Sequence, residues 1–429
     1  MPTPFPSSPA AAPVQQFRLA NGLHVCLRND PRAPLVTAQL WYHIGASDEA
    51  QGKSGLSHAL EHLMFQGSGK LSPSQYQYAI ARLGATPDAY TTADSTVFEM
   101  SLPVTRLETA LEILADSMHS ATLGEAEFFK AMSVIKAERS SQIDSNATQI
   151  ALERIRQCAY GDNGYATPVI GHAGDLARLQ PGDVRHWYDT WYQPNNASLM
   201  VVGAIGLEEL RSLVQRQFSG IARADLPSRR IPVLARPSSE RRLTLEHPLL
   251  KPGLALAFPV PSLATAKQAS QAFSLLSLRE ILMSRLNRVL VQNSAILSAV
   301  RCDYNPMQRG DSLFTVYGLL NRDSDGERAL GMVKQQIEHF RQSSLDTAEL
   351  ERTKVRMLAR EVFDQDSRVA QAWHLGLYAS SGLDPAQMPE RGSVIRTLTV
   401  QDMRQAASTC LTAAASSVMA LQQEPTSHA

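Results

Sequence analysis

Two stretches of this chain can be laid on one another without a gap. Residues 179–201 match residues 398–420 at a constant offset of 219. Leu179 coincides with Leu398, Asp183 with Asp402, Arg185 with Arg404, Thr190 with Thr409, Ser198 with Ser417 and Met200 with Met419. Each stretch reads as a helix followed by a buried strand. Such self-similarity predicts two duplicated domains of about two hundred residues each. The length of 429 residues agrees, being too long for one ordinary core. Residues 226–242 are rich in proline and arginine and make the best linker between the copies. The expected domains are 16–225 and 243–425. Residues 1–15, rich in Pro, Ala and Ser, read as a disordered leader.

The formal net charge is zero, so the composition points to neither a nucleic-acid partner nor an anionic membrane surface. The longest apolar runs, such as residues 198–206, are too short to span a bilayer. Cys26, Cys158, Cys302 and Cys410 are far apart and form no C-x-x-C pair. They read as thiols in a reducing compartment. With no secretory signal at the start, the expected location is the cytoplasm, or the periplasm if a leader has been trimmed.

Asn21-Gly22 between apolar runs predicts a hairpin over 17–30. A strand is expected over 36–45 and a strand pair over 87–102. Ser72 and Pro73 open a helix that Gly84 ends. Further helices are expected over 106–121, 125–142, 146–160, 181–191 and 207–218. A glycine-rich loop covers 161–174 and a buried strand 197–203. In the second half, strands are expected over 242–246, 253–259, 297–304, 311–320 and 416–421. Helices there cover 266–292, 326–343, 347–363 and 401–411.

The chemistry is concentrated in His58-Ala-Leu-Glu61-His62. Ser54 can cap a helix starting at Gly55, and Leu56, Leu60, Leu63 and Met64 repeat at helical spacing. Positions four apart lie one above the other on a helix. His58 and His62 thus present two imidazoles on one face, as two ligands of a zinc ion must. Glu61 adjoins that face and can reach water without binding the metal. The order H-x-x-E-H inverts the commoner H-E-x-x-H and is called the inverzincin motif. A catalytic zinc needs a third protein ligand. Glu138 continues the line of Met132 and Ile135 on a helix whose buried face is Phe128, Phe129, Met132 and Ile135. Asp116 and His119 on the preceding helix are rivals. The long helix of the second half has no such motif. Trp41, Trp187 and Trp191 read as core. His24, His43, His172 and His186 read as structural or surface residues.

With Glu138 placed 76 positions after His62, the chain resembles the pitrilysin/insulinase family of zinc peptidases, and its mitochondrial-processing-peptidase-like branch most. Asn21-Gly22-Leu23, residues 45–49, Gly55-Leu56 and residues 88–98, 167–171 and 187–203 resemble family segments in the same order. The resemblance implies an α+β fold: two similar domains, each an antiparallel sheet with helices packed on one side, together a half-clamshell. It implies zinc held by His58, His62 and Glu138, with Glu61 as general base. It also implies that the strand at Asp88, Ala89, Tyr90 and Thr91 binds substrate backbone by β-addition.

The chain departs from the family pattern in three places. Ala131 stands where a second glutamate is frequent, and Asp88 stands where an asparagine is usual. Ser284-Arg285-Leu286 is present, but the Arg and Tyr that steady the substrate carbonyl in family members acting alone are replaced by Val291 and Ser298. Arg301 and Tyr304 lie nearby but read as parts of their strand. The resemblance therefore implies a zinc endopeptidase subunit acting on peptides or unfolded segments. Its expected partner is a related subunit that lacks the metal motif and supplies the Arg/Tyr pair. The rivals are a non-catalytic assembly subunit and a peptide-binding module of the same fold.

Overall fold

The computed structural model describes residues 12–229, 234, 237–322, 324–342 and 345–423. Most of the expected leader, and residues 230–233 and 235–236 of the expected linker, lie outside these. The first half contains strands β1 (Gln15–Arg18), β2 (His24–Asn29), β3 (Leu35–Tyr42), β4 (Thr86–Thr91), β5 (Thr96–Pro103) and β6 (Ala197–Gly203). Its helices are α1 (Leu56–Met64), α2 (Pro73–Leu83), α3 (Leu107–Ser120), α4 (Glu125–Arg139), α5 (Ala147–Tyr160), α6 (Ala173–Leu176), α7 (Pro181–Trp191) and α8 (Leu207–Phe218). The second half adds β7 (Arg241–His247), β8 (Gly253–Val260), β9 (Leu297–Tyr304), β10 (Ser312–Leu320) and β11 (Ser417–Gln423). Helices α9 (Ala269–Leu286), α10 (Gly326–Gln342), α11 (Thr347–Asp366), α12 (Arg368–Ser380), α13 (Arg391–Thr397) and α14 (Val400–Cys410) complete it.

These elements form two compact units. One comprises Met1–Ile135, Pro168–Arg229 and Ala359–Arg391. Its sheet has the order β1-β2-β6-β3-β5-β4. Neighbours are antiparallel, as expected, except that β2 and β6 run parallel. Most of the first half of the chain separates those two strands, so β6 returns through helices and not through a hairpin. The hairpin at Asn21-Gly22 forms, with Gly22 at φ +96°. Leu40, Phe98 and Ala89 share one face, the side on which α1 and α3 pack. Gln39, Trp41, Val97 and Met200 share the other face.

The second face is apolar and buried, so it needs a cover, and α12 supplies it. Ala372 and Leu375 pack on Cys26, Trp41, Val97, Met200 and Val202. The Trp373 ring lies 4.9 Å from that of Trp41. The one-sided helix layer read from the sequence is therefore completed by a helix on the opposite side. The sequence reading assigned nothing at α12.

The other unit comprises Lys136–Thr167, Arg230–Leu358 and Gly392–Ala429. Its sheet runs β7-β11-β8-β10-β9, again antiparallel except for one parallel pair, β7 and β11. Leu254, Leu256 and Phe258 of β8 belong to a core with Phe273, Leu278 and Ile281 of α9, Val333 of α10 and Met403 of α14. Helix α5 packs against β8 and β11, and Tyr317 on the alternate face of β10 meets Thr148 of α5 at 3.5 Å.

The repeat seen in sequence holds in detail. Helix α14 lies at the same offset from α7, and each is followed by a 3₁₀ turn, Pro194–Asn196 or Ala413–Ala415. Each helix is capped by an aspartate in its first turn. Asp183 accepts from the Gln180 amide at 2.9 Å, and Asp402 from the Thr399 amide at 2.8 Å.

Candidate metal centre

Helix α1 starts one residue later than expected, and its cap comes from elsewhere. Gly55 is the N-cap residue, at φ +94°, and contributes no side chain. Ser54 does not cap. Its hydroxyl donates to Asp175 Oδ2 at 2.6 Å and accepts from the His172 amide at 2.8 Å. The first-turn amides are met by Glu49. Gly55 N–H donates to Oε2 and Ser57 N–H to Oε1, each at 2.7 Å. Burial pushes the Glu49 carboxyl up to about 8 against the pull of those amides.

Leu56, Leu60, Leu63 and Met64 bury one side of α1. His58 and His62 stack along it, their rings 4.8 Å apart and nearly perpendicular. The two Nε2 atoms are 3.3 Å apart. Two nitrogens on a tetrahedral zinc at the usual bond length are separated by about 3.3 Å, so the spacing fits. Burial, with His62 beside it, pushes His58 down to about 4. Its imidazole is thus neutral at physiological pH, as a ligand must be. Glu61 Oε2 accepts from the Thr91 hydroxyl at 2.5 Å.

Glu138 lies in the last turn of α4 and is half-buried. Gln142 Nε2 donates to its Oε1 at 3.0 Å. Ligand atoms of His58, His62 and Glu138 lie within 4.8 Å of one another. The rivals are placed otherwise. The Asp116 carboxylate accepts from the Ser68 hydroxyl, the Lys70 amide and the Ser120 hydroxyl, pinning the loop after α1 to α3. His119 is exposed. Phe129, read as part of the buried face of α4, is 54% exposed. The buried line of that helix runs through Phe128, Ala131, Met132 and Ile135.

Strand β4 lies at one edge of its sheet and, among the described residues, pairs only with β5. Alternation puts Ala89 and Thr91 on the α1 side and Asp88 and Tyr90 on the other. The Tyr90 ring packs edge-on to Trp373 at 5.3 Å, and its hydroxyl donates to Asp88 Oδ2 at 2.5 Å. The Asp88 and Tyr90 side chains therefore face α12, and what they offer along the strand edge is backbone.

In the other unit, Val291 lies in a π-helical turn, Asn287–Asn293, that extends α9. Ser298 donates to the Leu319 carbonyl at 3.3 Å. Arg301 pairs with Asp303 at 2.5 Å, and the Tyr304 hydroxyl donates to the Pro261 carbonyl at 2.7 Å. Both side chains serve β9 and its surroundings, as read from the sequence. The four cysteines are free, and Trp41, Trp187 and Trp191 are buried. Sequence reasoning missed the role of Glu49. An acidic residue upstream of a glycine N-cap was the available signal, but a cap six residues away leaves no fixed spacing.

Residues 24–173 match the family described as Insulinase (Peptidase family M16). Residues 178–357 match Peptidase M16 inactive domain. The chain belongs to peptidase family M16, the insulinase-like family. It is 26% identical over 361 residues to the zinc protease PqqE of Helicobacter pylori, covering 82% of this chain and 80% of that protein. It is 28% identical over 200 residues to mitochondrial-processing peptidase subunit beta of Bos taurus, covering 47% of this chain and 40% of that protein. The fold agrees with the crystal structure of a protease from Helicobacter pylori, with a TM-score of 0.88 at 23% identity, covering 96% of this chain and 100% of that one. It agrees also with the periplasmic protease PqqL from Escherichia coli, with a TM-score of 0.79 at 18% identity, covering 97% of this chain and 48% of that one. Among the described residues no helix is long and apolar enough to cross a membrane.

Proposed function

We propose that this chain is the metal-carrying subunit of a zinc-dependent endopeptidase that hydrolyses peptides or unfolded segments. The observation that carries this reading is the 3.3 Å approach of two imidazole nitrogens on α1, beside a carboxylate held by Thr91. His58, His62 and Glu138 are the zinc ligands. Zinc bound there would polarise the scissile carbonyl and acidify water towards neutral pH. Glu61 accepts the proton of the attacking water and hands it to the leaving amine. The Thr91 hydroxyl donates to one oxygen of that carboxylate and so restrains its rotation. A substrate strand adds to the outer edge of β4, held by backbone groups of Asp88, Ala89, Tyr90 and Thr91.

Val291 and Ser298 offer no cation or phenol to the carbonyl oxygen. The heterodimer follows from that gap: a related subunit supplies the missing donors. The same gap favours one rival, a zinc-loaded subunit that binds peptides and never cuts. Metal analysis of the purified chain, with cleavage of unfolded polypeptide by the chain and candidate partners with and without a chelator, separates them. One zinc per chain and chelator-sensitive cleavage support the proposal. A chain that binds no zinc overturns it.

A further inference from the structure

The metal-motif helix is short, nine residues, and its N-terminal turn has no cap of its own. A helix leaves its first amides without intrahelical partners, and a buried start needs a substitute. Glu49 is that substitute, and it is only 8% exposed. Its two oxygens take the amides of Gly55 and Ser57, and Ser57 directly precedes His58.

Glu49 is itself tied to the far side of the site. It closes the 3₁₀ turn Ala46–Asp48 that follows β3. That turn is bonded to the β4–β5 connection: the Ala46 amide donates to the Thr92 carbonyl at 3.1 Å and the Ser47 amide to the Ala93 carbonyl at 2.8 Å. Thr91, which bonds Glu61, immediately precedes Thr92. Helix α1 is thus fastened twice to one stretch of chain, at its start through Glu49 and at Glu61 through Thr91. Releasing one fastener lets a short helix turn or slide, and every side chain on it moves together.

We propose that Glu49 is a positioning residue for this site: the two oxygens of its buried carboxyl group set the register of α1 and thereby aim His58 and Glu61. The inference rests on the zinc-peptidase reading for its consequence, but its physical core, the clamp on α1, does not. Outer-shell groups that orient metal ligands typically change affinity or activity by about 10–100-fold when removed.

The test compares the full-length parent with Glu49→Gln, which keeps the volume but sets an amide N–H₂ against a backbone donor. Glu49→Asp, which reaches fewer amides, is the intermediate variant. Hydrogen exchange of the metal-free proteins reads the clamp directly. The Gly55 and Ser57 amides should exchange faster in Glu49→Gln, with Glu49→Asp between, while the sheet amides stay protected. Zinc affinity by chelator competition should fall roughly 10–100-fold, and kcat should fall with KM little changed. Unchanged protection at Gly55 and Ser57 overturns the inference whether or not the parent binds zinc. So does a variant that only melts earlier while keeping parental zinc affinity and kcat. If the parent binds no zinc, the peptidase reading fails, and the exchange result alone decides the clamp.

Discussion

The Thr91 hydroxyl donates to Glu61 Oε2 at 2.5 Å, joining the last residue of an edge strand to the motif helix. The carboxylate proposed to move the proton is thereby held at the end of the strand proposed to hold substrate. Glu61→Gln keeps the side-chain shape and removes the base. Zinc content should stay at the parental level while hydrolysis falls by about 10²–10⁴. Measuring both on one preparation separates base from ligand. Parental hydrolysis by zinc-loaded Glu61→Gln would remove Glu61 from the mechanism.

The third ligand is tested by Glu138→Gln. A neutral amide is a poor zinc ligand, so bound zinc should fall strongly while the circular dichroism spectrum stays unchanged. Asp116 is the control. Its carboxylate already serves three donors around residues 68–70 and 120. Asp116→Asn should lower stability and leave zinc nearly intact. The reverse pattern in metal analysis would make Asp116 the ligand.

Helix α12 shows what the sequence left unread. Elements with a polar and an apolar side, such as α8 and β9, were legible to within a residue or two, because period and burial agree. Ser72, Pro73 and the left-handed Gly84 bound α2 as read, and Gln75 adds a capping box at its start. Residues 368–380 show no such contrast. Gln371, Ala372, Leu375, Gly376 and Tyr378 are buried at helical spacing, but Gln, Ala and Gly fill three of those positions, so no apolar stripe marks the face in the sequence. The partners of α12 lie on β3 and β6, far away in sequence, which local pattern cannot reveal. For the site, the histidines and Glu61 were legible because helical spacing alone aligns them. Glu138 was not fixed by spacing, since its helix has an exposed phenylalanine in the expected buried face. Glu49 acts across a loop, where no periodicity operates.

Gly376 gives a sharp test of that packing. A Cβ built there would sit 1.9 Å from the Trp41 indole. In an isolated helix, Gly→Ala would stabilise by about 1 kcal/mol. Here Trp41 is fully buried and cannot yield, and overpacking of this kind costs about 1–3 kcal/mol or more. Gly376→Ala should therefore lower the melting temperature. A higher one would mean that α12 does not press on Trp41.

Asp30 should give part of the acid limb of stability. Hydrogen bonds from the Arg32 side chain, aided by Arg368 at 3.5 Å, hold its carboxyl down at about 2 although burial opposes them. The folded value lies below the unfolded one, so the contribution is present above about pH 4 and is lost as the pH falls through 2. The shift corresponds to about 2 kcal/mol at neutral pH, less whatever solvent screening removes at the half-exposed Arg32. Urea unfolding should show Asp30→Asn weaker than the parent at pH 7, with the gap closing between pH 4 and 2. A gap independent of pH would assign the loss to packing and not to charge.

The last expectation concerns activity of the chain alone. As water attacks, the substrate carbonyl oxygen gains negative charge, and a pre-placed donor for that charge is worth roughly 2.7–4 kcal/mol, or 10²–10³ in rate. Val291 has no polar side-chain atom, and Ser298 already bonds the Leu319 carbonyl. Arg301 is paired with Asp303, and Tyr304 is buried on the Pro261 carbonyl. A second copy of this chain would bring the same residues, so self-association should not restore the rate. The pure zinc-loaded chain should therefore cleave unfolded peptides slowly. A related subunit carrying an Arg and a Tyr should raise the rate by about 10²–10³. Assays of the chain alone, the partner alone and the mixture at equal zinc decide it. Full activity of the pure chain, unchanged by any partner, would mean that a donor in this chain does the work, and Arg301→Ala and Tyr304→Phe would then be the first variants to assay.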